Sequence, residues 1–138
     1  MKNDVCIVIP AYNPGQELGK VIYGLTKIGF SNIVAIDDGS SDAQLFEGLR
    51  DVTILKNNRN MGKGYALKKG FSYCENKFKD IKGVITVDAD GQHLVEDVEN
   101  IYKRFSCNYN SLILGTRSFN GKDVPLKSRI GNKIMQNK

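Results

Sequence analysis

The sequence predicts an α/β fold with a mostly parallel sheet flanked by helices, on three observations. Short apolar runs alternate along the chain with segments whose apolar residues recur at helical spacing. The runs are nearly continuous, as in strands covered on both faces. Most of them end in clusters of Asp, Asn, Gly, Ser, Thr or Pro, so polar chemistry gathers at one sheet edge.

Residues 4–10 (DVCIVIP) form the first strand, and Leu18, Val21, Ile22, Leu25 and Ile28 mark a helix over 16–28. The second strand covers 33–36, after which Ser41 or Asp42 is placed to cap a short helix through Leu49. Residues 52–55 give the third strand. Ala66, Leu67, Gly70, Phe71, Cys74 and Phe78 trace one face of the following helix. VITV at 84–87 is the fourth strand, and Leu94, Val95, Val98, Ile101, Tyr102 and Phe105 mark the helix after it. Residues 111–114 read as a fifth strand and 127–137 as a last helix. Strict alternation of this kind argues parallel strands joined by helical crossovers. In such sheets ligands bind outside the carboxyl ends of the strands.

Composition narrows the function. The 138 residues suffice for one domain with a real core, and 41% hydrophobic with 25% charged residues is an ordinary globular balance. No run approaches the roughly 18 apolar residues of a membrane span, and the start, MKNDVCIVIPAYN, lacks the pattern of a signal peptide. Cys6, Cys74 and Cys107 match neither a disulfide framework nor a metal motif; they are expected to be small apolar fillers in a reducing cytoplasm. A net charge of +5 suits either a phosphate-rich partner or a solvated basic surface. Lys122, Lys127, Arg129, Lys133 and Lys138 stand against only Asp123 at the end of the chain. Aromatic–basic clusters are too few for a nucleic-acid platform, so no nucleic-acid partner is expected.

The strand ends carry the candidate chemistry. In Asp88-Ala89-Asp90, alternation along an extended chain points both carboxylates the same way. A hard cation between them would remove their repulsion, and Mg²⁺ or Mn²⁺ suits one or two carboxylates with water and phosphate completing the shell. Gln92 can add an amide oxygen, and Gly91 lets the backbone turn. The plain alternative is that these aspartates cap the next helix. Asp37-Asp38-Gly39-Ser40 reads equally as a turn or as carboxylates for a base N–H or a ribose hydroxyl. Residues 60–64 (NMGKG) lead into a helix, where backbone amides and Lys63 can hold an anion. Neither a Walker A loop nor GxGxxG is present. His93, the single histidine, is a polar neighbour of the carboxylates or a general base. Arg117, in GTRSF, could neutralise a phosphate bidentately or lie on the surface.

IPAYNP, AIDDGSSD, NRNMGKGYALKKGF, VDADGQH and LGTRSF, in that order, resemble family 2 glycosyltransferases over nearly the whole chain. The resemblance implies the GT-A fold, a Rossmann-like transferase of nucleotide-diphospho-sugars. VDADGQH and GTR are most similar to the branch with dolichyl-phosphate mannosyltransferase and bacterial polyprenyl-phosphate sugar transferases. By matching position, Pro10, Ala11, Tyr12 and Asn13 would line the nucleotide pocket, and Ile36, Asp37 and Asp38 would contact base and ribose. Asp88, Ala89, Asp90 and Gln92 would hold the metal and the donor diphosphate, with Arg117 and Arg129 on the diphosphate or the acceptor phosphate. Asp90 and Arg117 are the residues expected to act in catalysis. Pro14 replaces a glutamate common in relatives, and Leu94 and Val95 replace the usual prolines. Complete catalytic domains of the family run well past this length. Residues 1–138 are therefore expected to be the nucleotide-sugar-binding part, with the acceptor-binding half and any membrane anchor beyond it.

The resemblance implies metal-dependent, inverting transfer from a UDP- or GDP-linked sugar. A hydroxyl acceptor would need a general base, whereas a lipid phosphate is already anionic, so a polyprenyl phosphate is favoured. The basic end would suit an anionic membrane surface, placing the protein in the cytoplasm or at the inner face of the plasma membrane, in cell-envelope synthesis. The alternatives are transfer to a saccharide hydroxyl in wall or polysaccharide synthesis, and a non-catalytic nucleotide-sugar binding module. A nucleotidyltransferase is a further rival, but it usually carries a Gly-rich basic loop after the first strand, which PAYNP lacks.

Overall fold

The computed structural model describes residues 2–91, 95–107, 113–114 and 126–127. Strand β1 (Val5–Ala11) leads to helix α1 (Glu17–Lys27), then β2 (Ile33–Asp38), β3 (Thr53–Asn57), helix α2 (Lys63–Lys77), β4 (Gly83–Thr86) and helix α3 (Val95–Cys107). Two short strands, β5 (Ile113–Leu114) and β6 (Leu126–Lys127), pair antiparallel. The main sheet has the order β3-β2-β1-β4, and all its pairings are parallel.

Alternation along β1 divides the core in two. Val5, Ile7 and Ile9 pack with Leu18, Val21, Ile22 and Leu25 of α1 and Val98 and Phe105 of α3. Cys6 and Val8 face the other way, with Val34 and Ile36 of β2 and Ala66 and Cys74 of α2. Helices therefore cover both faces, which is why the strands read as unbroken apolar runs. At Gly70 the approach of α2 is so close that a Cβ would lie 2.6 Å from Val8 Cγ1.

Three expectations change. The helix expected through Leu49 is only a 3-10 turn over Ala43–Leu45. Asp42 Oδ1 accepts the Gln44 N–H at 2.9 Å as expected of a cap, but Gly48, inside the expected span, adopts a positive φ of 79° that a helix cannot continue through. Lys127, expected to open a last helix, lies in β6 opposite Ile113; residues 128–137 lie outside the described residues. Cys6 and Cys74, expected to be separate fillers, are joined in a disulfide across β1 and α2, their Cα atoms 6.4 Å apart. They do fill the core, since both are fully buried.

The disulfide closes a sequence separation of 68 residues. Loop-closure entropy for that length corresponds to about 4 kcal/mol of stabilisation. Denaturant unfolding with and without a strong reductant is expected to differ by up to that amount, and Cys6→Ala should remove the difference.

Candidate functional site

The parallel register brings the carboxyl ends of the strands together: Ala11 stands beside Asp37, and Asp38 beside Asn57. Outside these ends lies a cavity of about 400 Å³. One wall is residues 10–15 after β1, another is Asp88, Ala89 and Asp90 after β4, and Asp38, Asn60, Gly62 and Lys63 complete it.

Asp38 organises the rim. It is 3% exposed, and its Oδ1 accepts the Asn57 side-chain amide at 2.9 Å and the Met61 N–H at 2.8 Å. Its Oδ2 accepts the Gly62 N–H at 3.0 Å. Gly62 precedes α2 and gives it no side-chain cap, so Asp38 supplies the anion that the positive end of the helix favours. Asn57, 4% exposed, is held from behind by Lys69, whose Nζ donates to Asn57 Oδ1 and to the Lys56 carbonyl, both at 2.8 Å. Lys69, Asn57, Asp38 and the start of α2 thus form one hydrogen-bonded chain.

The loops after β1 and β2 are latched reciprocally. Asn13 N–H donates to Ser40 Oγ at 2.8 Å, and Ser41 N–H donates to Asn13 Oδ1 at 2.8 Å. Asp37, buried, accepts the Ser40 N–H at 2.8 Å. Within this structure it closes the turn that presents the latch.

On the far wall the chain after β4 bends at Gly91, whose φ of 75° suits glycine. Asp88 is partly buried, and its Oδ1 accepts from Lys63 Nζ at 3.0 Å across the cavity. Asp90 is exposed. Two carboxylates on one wall fit a hard cation that takes its other ligands from water and phosphate. Among the described residues no group of three or more His, Cys, Asp or Glu side chains forms a cage. A cation on these two carboxylates would take its remaining ligands from water or from a bound phosphate.

Of the residues singled out in the sequence, Pro10, Ala11, Tyr12, Asn13, Asp38, Lys63, Asp88, Ala89 and Asp90 line the cavity. Ile36 does not: it lies in the core facing α2. Asp37 does not line it either. Gln92, His93, Arg117 and Arg129 lie outside the described residues. Asn60 and Gly62, from the 60–64 segment read as an anion-holding loop, line it as well, whereas Pro14 and Gly15 line the cavity without having been singled out as ligand contacts. Asn57 and Lys69 act behind the wall, and the one hint of them was that β3 ends in polar residues.

The sequence matches the family described as Glycosyl transferase family 2 over residues 6–137. The chain belongs to that family. Its fold is GT-A, the α/β architecture with a mostly parallel sheet between helices. A Methanocaldococcus jannaschii protein, MJ1222, is 36% identical over 135 residues, covering 95% of this chain and 55% of its own length. The UDP-N-acetylglucosamine–dolichyl-phosphate N-acetylglucosaminyltransferase of Methanococcus voltae is 27% identical over 149 residues, covering 93% of this chain and 59% of its own. The chain thus spans little more than half the length of these curated relatives. A solved 4-diphosphocytidyl-2C-methyl-D-erythritol synthase shares the fold, with a TM-score of 0.61 at 14% identity, over 94% of this chain and 71% of that one. Among the described residues no helix is long and apolar enough to cross a membrane.

Proposed function

We propose that this family 2 chain carries the donor site of an inverting, metal-dependent transfer of sugar from a nucleoside-diphosphate sugar to a polyprenyl phosphate. The observation that carries the reading is the cavity at the carboxyl ends of parallel strands, with Asp88 and Asp90 on one wall and Lys63 on another. Such edges are where α/β sheets bind nucleotides. Pro10, Ala11, Tyr12 and Asn13 would pack against the nucleoside, Tyr12 offering a ring that is 52% exposed. Asp38, already holding the rim loop, would set the distance between that wall and the start of α2.

Asp88 and Asp90 would hold Mg²⁺ or Mn²⁺, with the Gln92 amide as a further oxygen. When bound, the cation supplies charge stabilisation at the departing diphosphate. Lys63 would donate to the diphosphate, and Arg117 and Arg129 would bind it or the acceptor phosphate. The acceptor oxygen forms its bond to the anomeric carbon as the bond to the diphosphate oxygen breaks on the opposite face, which inverts the centre. A phosphate acceptor enters as an anion and needs no base. That the Methanococcus voltae relative is named for dolichyl phosphate supports this acceptor class. The chain would work at the inner face of the membrane that holds the lipid.

Calorimetry with a panel of UDP- and GDP-sugars tests the donor assignment. At least one is expected to bind, tenfold or more tightly with Mg²⁺ or Mn²⁺ than with chelator. Affinities indifferent to metal for every sugar would refute the metal-dependent reading.

A further inference from the structure

We infer that Lys63 is a built-in counter-ion for Asp88, which a divalent cation must displace, and that the displaced ammonium then binds the donor diphosphate. The inference rests on the donor-site reading above and assigns one charge two positions.

Asp88 and Asp90 line one cavity two residues apart, and such neighbouring carboxylates repel unless a cation stands near. In this structure a positive group at that wall is the Lys63 ammonium, 3.0 Å from Asp88 Oδ1. Lys63 is the first residue of α2, so its side chain crosses the cavity from the opposite wall. The side chain of Lys63 is 65% exposed and that of Asp88 23%. The ammonium end is thus open to water, where an ion pair is weak enough to exchange, worth roughly a two- to fivefold change in an equilibrium.

Two of the amides in the loop before α2 are already taken. The Met61 and Gly62 N–H groups already donate to Asp38. A diphosphate arriving here meets the Lys63 ammonium among the described groups that line the cavity. Metal on Asp88 releases Lys63 toward the diphosphate, and a diphosphate draws Lys63 off Asp88 and opens that carboxylate to metal. Each ligand then raises the affinity for the other by the same factor.

The test uses Mn²⁺ alone, with free ion counted by electron paramagnetic resonance, on the full chain without nucleotide. Wild type is compared with Lys63→Met, Lys63→Arg, Asp88→Asn and the Asp88→Asn/Lys63→Met double variant. Lys63→Met should bind Mn²⁺ about two- to fivefold more tightly than wild type, and Lys63→Arg should match wild type. Asp88→Asn and the double variant should match each other, because the competition acts through Asp88. An unchanged or weakened affinity in Lys63→Met overturns the inference, as does a total lack of Mn²⁺ uptake in all five proteins. Neither result touches donor binding, which the sugar-nucleotide calorimetry measures separately; loss of every sugar nucleotide there removes the underlying reading instead.

Discussion

Asp38→Ala is expected to lower stability by about 3 kcal/mol and to abolish measurable donor binding. The variant deletes an acceptor shared by Asn57, Met61 and Gly62. It leaves the buried Asn57 amide without this partner while Lys69 still holds its other end. Hydrogen bonds to a charged group are worth roughly 1.5–3 kcal/mol each, less where water can replace them, as at the partly open Met61 and Gly62. Asp38→Asn keeps the shape but turns an amide donor toward either the Gly62 N–H or the Met61 and Asn57 donors, so a loss of about 1–2 kcal/mol is expected. Asp37→Asn removes the charge from one turn bond to Ser40 and should cost about 1 kcal/mol. Urea unfolding of the three variants, with unchanged m-values, gives the ranking. Equal losses at positions 37 and 38 would show that Asp38 does not organise the rim.

Asp90→Asn should do the opposite, leaving stability nearly intact while removing function. Asp90 is exposed at the cavity wall, and changes at such positions usually stay within about 0.5 kcal/mol. Under the proposed mechanism it loses a hard anionic ligand where charge develops. A fall in the transfer rate of roughly 10²–10³ is expected, the scale seen when one preorganised stabiliser of developing charge is removed. Raising Mn²⁺ should recover part of the rate if the loss is one of metal affinity. Radiolabelled sugar transfer to a polyprenyl phosphate by the complete protein, alongside thermal melts, provides both readouts. A rate within threefold of wild type would remove Asp90 from the mechanism.

The layered fold was legible because burial on both faces leaves a strand no polar positions. The 33–36 run is a case: Ile33 to Ile36 are all buried. Parallel order then fixes which ends carry the polar clusters, so the cavity wall from Pro10 to Asn13 and the pair Asp88 and Asp90 could be named. What could not be read is which member of Asp37-Asp38 faces outward, since both are buried and the turn uses both. Ile36 shows the same limit: its side of the sheet depends on where α2 packs. That residues 60–64 lead into a helix was legible, and α2 begins at Lys63; that Asp38, 24 positions earlier, is the anion at its start was not, because no local pattern links the two. The disulfide joins positions 68 residues apart, and no local pattern pairs them.

The reciprocal bonds between Asn13 and Ser40–Ser41 bear on how this scaffold can be re-engineered. Asn13 holds a φ of 46°, a left-handed geometry that Asn tolerates better than most residues. Grafting a foreign 12–15 segment alone would remove both bonds and leave 39–41 without its template. A chimera that seeks a new base preference must transplant the two segments together, as one inherited module, or rebuild the latch at its seam.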